Sequence, residues 1–274
     1  MGSATTHSIW YVYGIVPADT PMTAVPGGID DAGVAIERHA GVAALVSVLD
    51  DASYAPSAIE TSSGDVEWLS PRAVAHDRVL TWASDHGPVV PLPMFSLFSG
   101  QTALHHMLND RSSQLGAALA RVGRGREYAL RVYRVDAELL AAVASLSPRL
   151  AALAGTAAAA SPGQRYLLER KLDGERKTEM RAVTQQIVGE IVDALSPHAL
   201  SSARSPIPKA ADADAAARGT MILNAAFLVA PASVEAFQRT LTSLVERHGP
   251  HGLRFDFTGP WPPYHFVTET ADGS

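Results

Sequence analysis

The chain has 274 residues, which is enough for one large domain or two ordinary ones with a core that needs no disulfides or metals. It carries 22 basic and 28 acidic residues, a net charge of −6 at pH 7, and this acidity argues against a general nucleic-acid or anionic-membrane binder. The lack of cysteine excludes disulfide scaffolds, iron–sulfur clusters and thiol nucleophiles. We see neither a secretion signal nor an apolar run of membrane length, and we expect a soluble cytoplasmic protein.

The first half of the chain is predicted to contain strands followed by helices. Ile9–Val16 is rich in β-branched and aromatic residues, which is typical of a buried strand. Val34–His39 and Ala43–Leu49 predict two short strands that are separated by Ala40-Gly41. The polar stretch Asp51–Gly64 is predicted to be a loop.

Two helices complete this half. Ser70-Pro71 combines an N-cap hydroxyl with a proline, which is tolerated at the first helical position because the missing N–H has no partner there. We therefore expect a helix that begins at this pair and ends before Gly87. Val89–Leu92 predicts a short strand, and Gln101–Val122 predicts one continuous helix.

The second half has the pattern β–α–(β)–β–α–β. The first strand is Glu127–Val135, and it is followed by a helix at Ala137–Leu146 and a long helix after Ser161-Pro162. Ser201–Gly219 is a loop or an edge strand with a mobile tail. The strand Met221–Ala230, a helix after Ser233 and the strand Leu253–Phe257 complete the pattern. Both halves are typical of an α+β fold with antiparallel sheets that are covered by helices on one face. We place an N-terminal α+β domain at 1–122, a C-terminal domain at 127–257 and a Pro/aromatic tail at 258–274.

Motifs for catalysis and cofactor binding are missing from the sequence. There is no Gly-Lys-Ser/Thr phosphate loop and no Gly-x-Ser-x-Gly nucleophile turn. His105 and His106 are adjacent on a predicted helix, so their side chains point about 100° apart and do not suit one metal ion. We predict no catalytic, cofactor-binding or metal-ligating residues and no cofactor. A hydrolase built from scattered Ser, His and Asp residues is an alternative that requires a concave pocket with a histidine of shifted pKa.

Five arginines form a basic cluster in the middle of the sequence, and two interpretations of it stay open. It either contacts an anion or an acidic partner, or it forms a solvated loop and outer strand face that nearby Glu127 and Asp136 neutralise. The arginines are Arg121, Arg124, Arg126, Arg131 and Arg134.

The most unusual segment is Thr258–Val267, which combines three prolines with three aromatic residues. Prolines fix the backbone, and the aromatic rings offer large apolar surfaces with polar tips. The segment either folds back to staple the C-terminal sheet or forms a preordered docking surface. In the second case, the candidate protein-binding residues are Trp261, Pro262, Pro263, Tyr264 and Phe266.

The same segment carries a family resemblance. Gly259–Val267 reads Gly-Pro-Trp-Pro-Pro-Tyr-His-Phe-Val and resembles the closing motif of the gas vesicle protein L/F family (GvpL/GvpF). Four further blocks resemble this family in the same order, so that the likeness covers nearly the whole chain. These blocks are Tyr11–Val16, Arg124–Val132, Ser161–Leu168 and Leu223–Val229.

One segment departs from the family pattern. Members commonly have Pro-x-Arg-Phe-Gly-Thr-x-Phe after the first helix, whereas this chain has Pro-Leu-Pro-Met-Phe-Ser-Leu-Phe over Pro91–Phe98. Pro93 stands in place of the arginine and Phe95 in place of the glycine, so no role of that arginine carries over to this chain.

The resemblance implies a non-enzymatic accessory protein of gas vesicle assembly, located at the gas vesicle in the cytoplasm. It implies partners, namely the small hydrophobic shell protein and other gas vesicle accessory proteins, which the chain binds as a minor component or chaperone-like factor. It also implies a modified ferredoxin-like βαββαβ arrangement in the C-terminal domain. The main alternative is a ferredoxin-like module that binds a ligand or nucleic acid through Arg121–Arg134. We expect no nucleic-acid or membrane partner, and the sequence indicates no oligomeric state.

Overall fold

The chain crosses twice between two structural units. The computed structural model describes residues 8–208 and 218–267. The first unit combines Met1–Glu127 with Pro260–Ser274, and the second is Tyr128–Gly259. The described part of the tail from residue 260 onwards thus groups with the first unit, and residues 268–274 lie outside the described part of the chain.

Five antiparallel strands form the sheet of the first unit: β1 (Ser8–Pro17), β2 (Ala35–His39), β3 (Val42–Asp50), β4 (Val90–Pro91) and β5 (Leu97–Phe98). Their order is β2-β3-β1-β4, and β5 pairs with another part of β1. The β1–β3 register shifts between Val12 and Gly14. A Cβ at Gly14 would lie 2.9 Å from the backbone oxygen of Val90, so this close approach requires glycine. The predicted strands of this half are confirmed.

Helices cover both faces of this sheet, although we expected them on one face. On one side Tyr13 of β1 shares a buried cluster with Leu80, and on the other Ile15 shares one with Leu104. The middle of β1 is buried without interruption, which is typical of a strand that is covered on both faces. The helices are α1 (Asp51–Tyr54), α2 (Pro56–Ser62), α3 (Val66–His86), α4 (Gln101–Asp110) and α5 (Ser112–Val122).

The predicted loop at Asp51–Gly64 is wrong, because α1 and α2 occupy most of it. Tyr54 anchors this stretch: it is buried in the core, and its hydroxyl donates a 2.5 Å hydrogen bond to Oδ2 of Asp30. A long-range contact of this kind can fix a segment whose polar composition favours a loop.

The predicted start of α3 is also wrong. The helix begins at Val66, after Asp65 caps it by accepting a 2.9 Å hydrogen bond from the Glu67 amide, and Pro71 therefore lies inside the helix. The single helix predicted over Gln101–Val122 is divided between α4 and α5 at Arg111.

The second unit has the element order β–α–α–α–β–β–α–β. Its elements are β6 (Arg126–Arg134), α6 (Asp136–Leu146), α7 (Pro148–Ala159), α8 (Pro162–Leu195), β7 (Ser201–Arg204), β8 (Thr220–Val229), α9 (Val234–His248) and β9 (Leu253–Trp261). The strand order is β7-β8-β6-β9, and β7 runs antiparallel to β8. The α+β class is confirmed, while the finer ferredoxin-like assignment stays a prediction.

The core of the second unit lies between this sheet and the helices. Leu130 and Phe227 from the strands share a buried cluster with Ile187 of α8 and Phe237 of α9. β9 extends four residues beyond the predicted end at Phe257. Within the uncertain stretch Ser201–Gly219 the structure shows β7, and residues 209–217 lie outside the described part.

Among the described helices, none is by itself both long and apolar enough to cross a membrane. Only α6 and α7 taken together meet that requirement of length and hydropathy, as a pair bent by 69°.

Candidate protein-binding site

The Pro/aromatic segment forms a tight turn that divides the five candidate residues into two groups. A 3₁₀ turn spans Tyr264–Phe266. Pro262 and Pro263 are buried and Phe266 is only 7% exposed, so these three residues belong to the interior. Trp261 and Tyr264 keep 42% and 38% of their surface exposed. The segment is therefore both anchored by apolar contacts and open to solvent on one side.

A buried carboxylate holds this turn in place. Glu127, at the start of β6, is only 3% exposed. Its Oε2 accepts a 2.9 Å hydrogen bond from the His265 backbone N–H, and its Oε1 lies 2.6 Å from Nδ1 of the same histidine. Because a carboxylate accepts, Nδ1 carries the proton of the second bond. A buried charge requires partners of this kind, and His265 supplies both.

Helix α5 provides a second anchor. Nε of Arg121 donates a 3.3 Å hydrogen bond to the carbonyl of Phe266, so the residue before Val267 is also fixed. Val267 itself packs against the apolar cluster that contains Leu115 and Leu119 of α5. The turn is thus fastened at consecutive residues by a carboxylate, a guanidinium and an apolar contact.

The exposed tyrosine of the segment is neutral over the physiological range. Burial of its hydroxyl raises the pKa of Tyr264 to about 12, and the nearby carboxylates of Asp77 and Glu127 act in the same direction. Burial also raises the pKa of the Asp77 carboxyl. A neutral phenol can donate or accept a hydrogen bond at the edge of an apolar surface, as aromatic residues at interfaces do.

The arginine cluster is mostly engaged within the protein. In the first unit Arg121 binds the carbonyl of Phe266, and Arg126 lies 2.5 Å from Oδ1 of Asp85. Arg124 is exposed. These contacts favour the interpretation as a solvated and neutralised face for this part of the cluster.

The second-unit part of the cluster is paired in a similar way. Arg134 lies 2.7 Å from Asp136 and donates to the hydroxyl of Thr184 at 3.1 Å. Arg131 lies 3.6 Å from Asp256. Guanidinium groups that already face carboxylates offer less charge to a phosphate backbone, which disfavours the nucleic-acid alternative.

The segment that departs from the family pattern, Pro91–Phe98, has an unusual backbone conformation at Phe95. Phe95 has φ +63°, in the left-handed region that favours glycine. Its ring stacks on Trp68 with centroids 5.5 Å apart, and its amide donates to the Tyr11 hydroxyl at 3.2 Å. The aromatic contact therefore compensates for a conformation that phenylalanine rarely adopts.

Tyr11 connects this segment to a buried histidine. Its hydroxyl lies 2.6 Å from Nδ1 of His76. Burial lowers the pKa of His76 to about 4, partly opposed by the Leu92 backbone, and burial raises the pKa of Tyr11. The imidazole is therefore neutral at pH 7 and accepts at Nδ1, while the tyrosine hydroxyl donates. His76 is therefore a core histidine.

Metal binding and hydrolysis each require a particular group of side chains. The described part of the chain contains no group of three or more His, Asp or Glu side chains suited to a metal ion. A cavity of about 210 Å³ beside α8 and α9 does hold His248, whose pKa burial lowers against the opposing effect of Glu190. The residues that line this cavity include no Ser or Thr nucleophile: Leu146, Val183, Gln186, Ile187, Glu190, Arg247, His248 and His251.

Comparison with known proteins gives a consistent result over nearly the full length. The chain is 27% identical over 269 residues to gas vesicle protein L2 of Halobacterium salinarum, covering 94% of this chain and 91% of that protein. It is 25% identical over 268 residues to gas vesicle protein L of Streptomyces sp. strain CB03234, covering 96% and 94%. The crystal structure of GvpF from Microcystis aeruginosa has the same fold, with a TM-score of 0.67 at 20% identity over 96% of this chain and all of that one.

The family model described as gas vesicle synthesis protein GvpL/GvpF matches residues 9–268. The predicted resemblance is thereby confirmed, and the names of the relatives support an accessory role in gas vesicles. The chain belongs to the GvpL/GvpF family of gas vesicle proteins.

Proposed function

We propose that this protein is a non-enzymatic accessory factor of gas vesicle assembly. In this proposal it binds the small hydrophobic shell protein and other accessory proteins of the gas vesicle, as a minor component or a chaperone-like factor. Membership of the GvpL/GvpF family supports the gas vesicle part of the proposal and an association with that compartment. The absence of enzyme activity and the cytoplasmic location stay predictions.

Binding of a partner protein is supported by the exposure of Trp261 and Tyr264 on an anchored turn. Both rings keep about two fifths of their surface exposed while the turn that carries them is fastened by Glu127 and Arg121. A surface that is already ordered loses little conformational entropy when a partner binds. Trp and Tyr are also the residues that most often dominate binding energy at protein interfaces.

The chemistry of the proposed partner fits such a surface. A shell protein that exposes apolar surface to gas aggregates in water unless another protein covers that surface. Two aromatic rings with polar edges can cover apolar side chains and remain compatible with water when the partner is absent. A chaperone-like role requires this kind of reversible contact.

A pull-down of the shell protein from the same gene cluster tests the proposal. The bait is the full chain, either unchanged or with Trp261→Ala and Tyr264→Ala combined. The matched control combines Val66→Ala and Val74→Ala, which remove two other exposed apolar side chains. We expect the aromatic double variant to recover at least about tenfold less shell protein, which corresponds to roughly 1.4 kcal/mol of binding free energy.

Both double variants should unfold within about 1 kcal/mol of the unchanged chain, since the replaced side chains lie at the surface. Equal recovery of shell protein by the aromatic variant and the unchanged chain, with both folded, would make the segment a structural staple only.

A further inference from the structure

The solvent face of α8 combines exposed apolar side chains with positive charge. Tyr166 and Leu167 near the helix start are 61% and 65% exposed, which places them among the most exposed large apolar residues of the described chain. The same helix buries side chains on its other side, such as Leu172 and Val183, where it belongs to the core of the second unit. The helix is therefore held in place while this face stays open to solvent.

Four cations lie on this face. Residues three, four or seven apart share one side of a helix. Arg170 and Lys171 follow Tyr166 and Leu167 at a spacing of three or four, Lys177 follows Arg170 by seven, and Arg181 follows Lys177 by four. All four are exposed, and within the described residues no ion pair joins any of them to a carboxylate.

Two acidic side chains of this part of α8 pair with another helix, and two lie beside the cations. Glu175 and Glu179 lie 3.0 and 3.3 Å from the guanidinium of Arg149, and Asp173 lies 3.4 Å from Arg176. By the same spacing, Asp173 lies beside Arg170 and Lys177, and exposed Glu169 lies beside Tyr166. Four cations and two carboxylates therefore leave this side of the helix with a net positive charge. A chain of net charge −6 presents a local face of opposite sign here.

Two glycines leave parts of this face without side chains. A Cβ added at Gly163 or at Gly174 would meet no atom within 4 Å, so neither glycine is required by packing inside the protein. Gly174 lies in the helix interior, where glycine lowers helix stability relative to alanine. Without side chains, these positions let the backbone of a second helix approach closely.

We propose that this surface, the α8 basic face (Tyr166, Leu167, Arg170, Lys171, Lys177 and Arg181), docks an acidic amphipathic helix of a partner protein. Carboxylates of that helix would pair with the four cations, and its apolar side chains would cover Tyr166 and Leu167. The face spans 15 helical steps, or about 22 Å, which suits four turns of a partner helix.

A protein helix fits this face better than either common polyanion. Four cations on a protein of net charge −6 provide little long-range attraction for a nucleic acid or an anionic membrane. Helices that lie on membranes have a continuous apolar face, whereas this one has two large apolar residues at one end. The proposal concerns a different unit from the C-terminal turn and does not depend on the shell protein as partner.

The test measures fluorescence anisotropy of a labelled 18-residue synthetic peptide that places Leu and Glu on opposite faces of a helix. We expect saturable binding to the full chain that weakens as salt increases. The variant Arg170→Glu with Lys177→Glu should bind at least about tenfold more weakly, and Tyr166→Ala with Leu167→Ala about fivefold more weakly. The control Arg78→Glu with Arg204→Glu changes the net charge equally at exposed sites and should bind unchanged.

Circular dichroism of each variant establishes that it is folded. Further arms use a Glu-only peptide of equal charge, single-stranded DNA of equal charge and vesicles of phosphatidylserine and phosphatidylcholine. Undetectable binding of the amphipathic peptide, or equal binding by the Arg170→Glu/Lys177→Glu variant, would overturn the proposal. Tighter binding of the Glu-only peptide, the DNA or the vesicles would overturn the assignment to an amphipathic helix.

Discussion

The carboxylate of Glu127 holds His265, 138 residues further along the chain, by two hydrogen bonds of 2.9 and 2.6 Å to its backbone amide and ring nitrogen. The two residues lie at opposite ends of the sequence that forms the second unit, yet both belong to the first. Together with Arg121, this side chain therefore anchors the turn that carries the exposed Tyr264 ring.

Replacing this carboxylate should weaken the first unit. We expect Glu127→Gln to lower the free energy of unfolding by about 1.5–3 kcal/mol, because a neutral amide cannot accept two charge-assisted hydrogen bonds from His265. Urea denaturation followed by circular dichroism measures the change. The control Glu169→Gln removes an exposed carboxylate and should change stability by less than about 0.5 kcal/mol. Similar stability of the two variants would show that the paired hydrogen bonds contribute little.

Stability should decrease in mild acid because of His76. Its pKa is about 4 in the folded protein against an ordinary 6.5, so the unfolded chain binds more protons between these values. This contribution is fully present above pH 6.5 and is lost as the pH falls towards 4. Between pH 7 and pH 5 we expect a loss of about 2 kcal/mol from this group, with free energies of unfolding measured in urea.

The variant His76→Gln separates this effect from that of other titrating groups. It should have a flatter dependence of unfolding free energy on pH between 5 and 7 than the unchanged chain, while His106→Gln, at an exposed position, should keep the original slope. Parallel profiles for the His76 variant and the unchanged chain would contradict the assignment of the acid sensitivity to this histidine.

At position 95, a glycine variant should be more stable than an alanine variant, which is the reverse of their order in a helix. Both Phe95→Gly and Phe95→Ala lose the stacking on Trp68, but only alanine retains the cost of φ +63°. We expect the glycine variant to be more stable than the alanine variant by about 1 kcal/mol in thermal or urea unfolding. At exposed Ala151 in α7, glycine should instead be less stable than alanine by about 1 kcal/mol. If the alanine variant were the more stable one at both positions, the backbone at Phe95 would relax freely after the substitution.

Two glycines of the second unit should respond in opposite directions to alanine. Gly252 has φ +88°, and a Cβ there would lie 2.5 Å from that of Glu138, so Gly252→Ala should destabilise the protein by more than about 2 kcal/mol. Gly189 lies within α8 with no atom within 4 Å of an added Cβ, so Gly189→Ala should stabilise by about 0.5–1 kcal/mol. Melting temperatures of the two variants, one below and one above that of the unchanged chain, provide the check.

Local sequence patterns were sufficient where a structural element is determined by its own residues. The β-branched run Ile9–Val16 predicts β1, and Ser161-Pro162 correctly predicts the start of α8. They failed where a distant residue decides the structure. Asp51–Gly64 is polar and resembles a loop, but the hydrogen bond from Tyr54 to Asp30 and the burial of the tyrosine ring fix helices there.

The candidate site shows the same division. Composition identifies Thr258–Val267 as unusual, but it does not indicate which aromatic residues stay exposed, since that depends on contacts with Glu127 and Arg121. These partners had no distinguishing signal in the sequence. One is a glutamate at a strand start, and the other belongs to an arginine cluster that was compatible with either an anion contact or a solvated face.

The return of the chain to the first unit at Pro260 also affects the order of events on the ribosome. Translation completes all of Tyr128–Gly259 before it adds the turn that Glu127 holds. The second unit can therefore fold during synthesis. The first unit cannot complete its fold at that stage, because the Glu127 carboxylate still lacks its hydrogen-bond partner His265. Nascent chains stalled before residue 260 should accordingly depend on chaperones in a way that released chains do not.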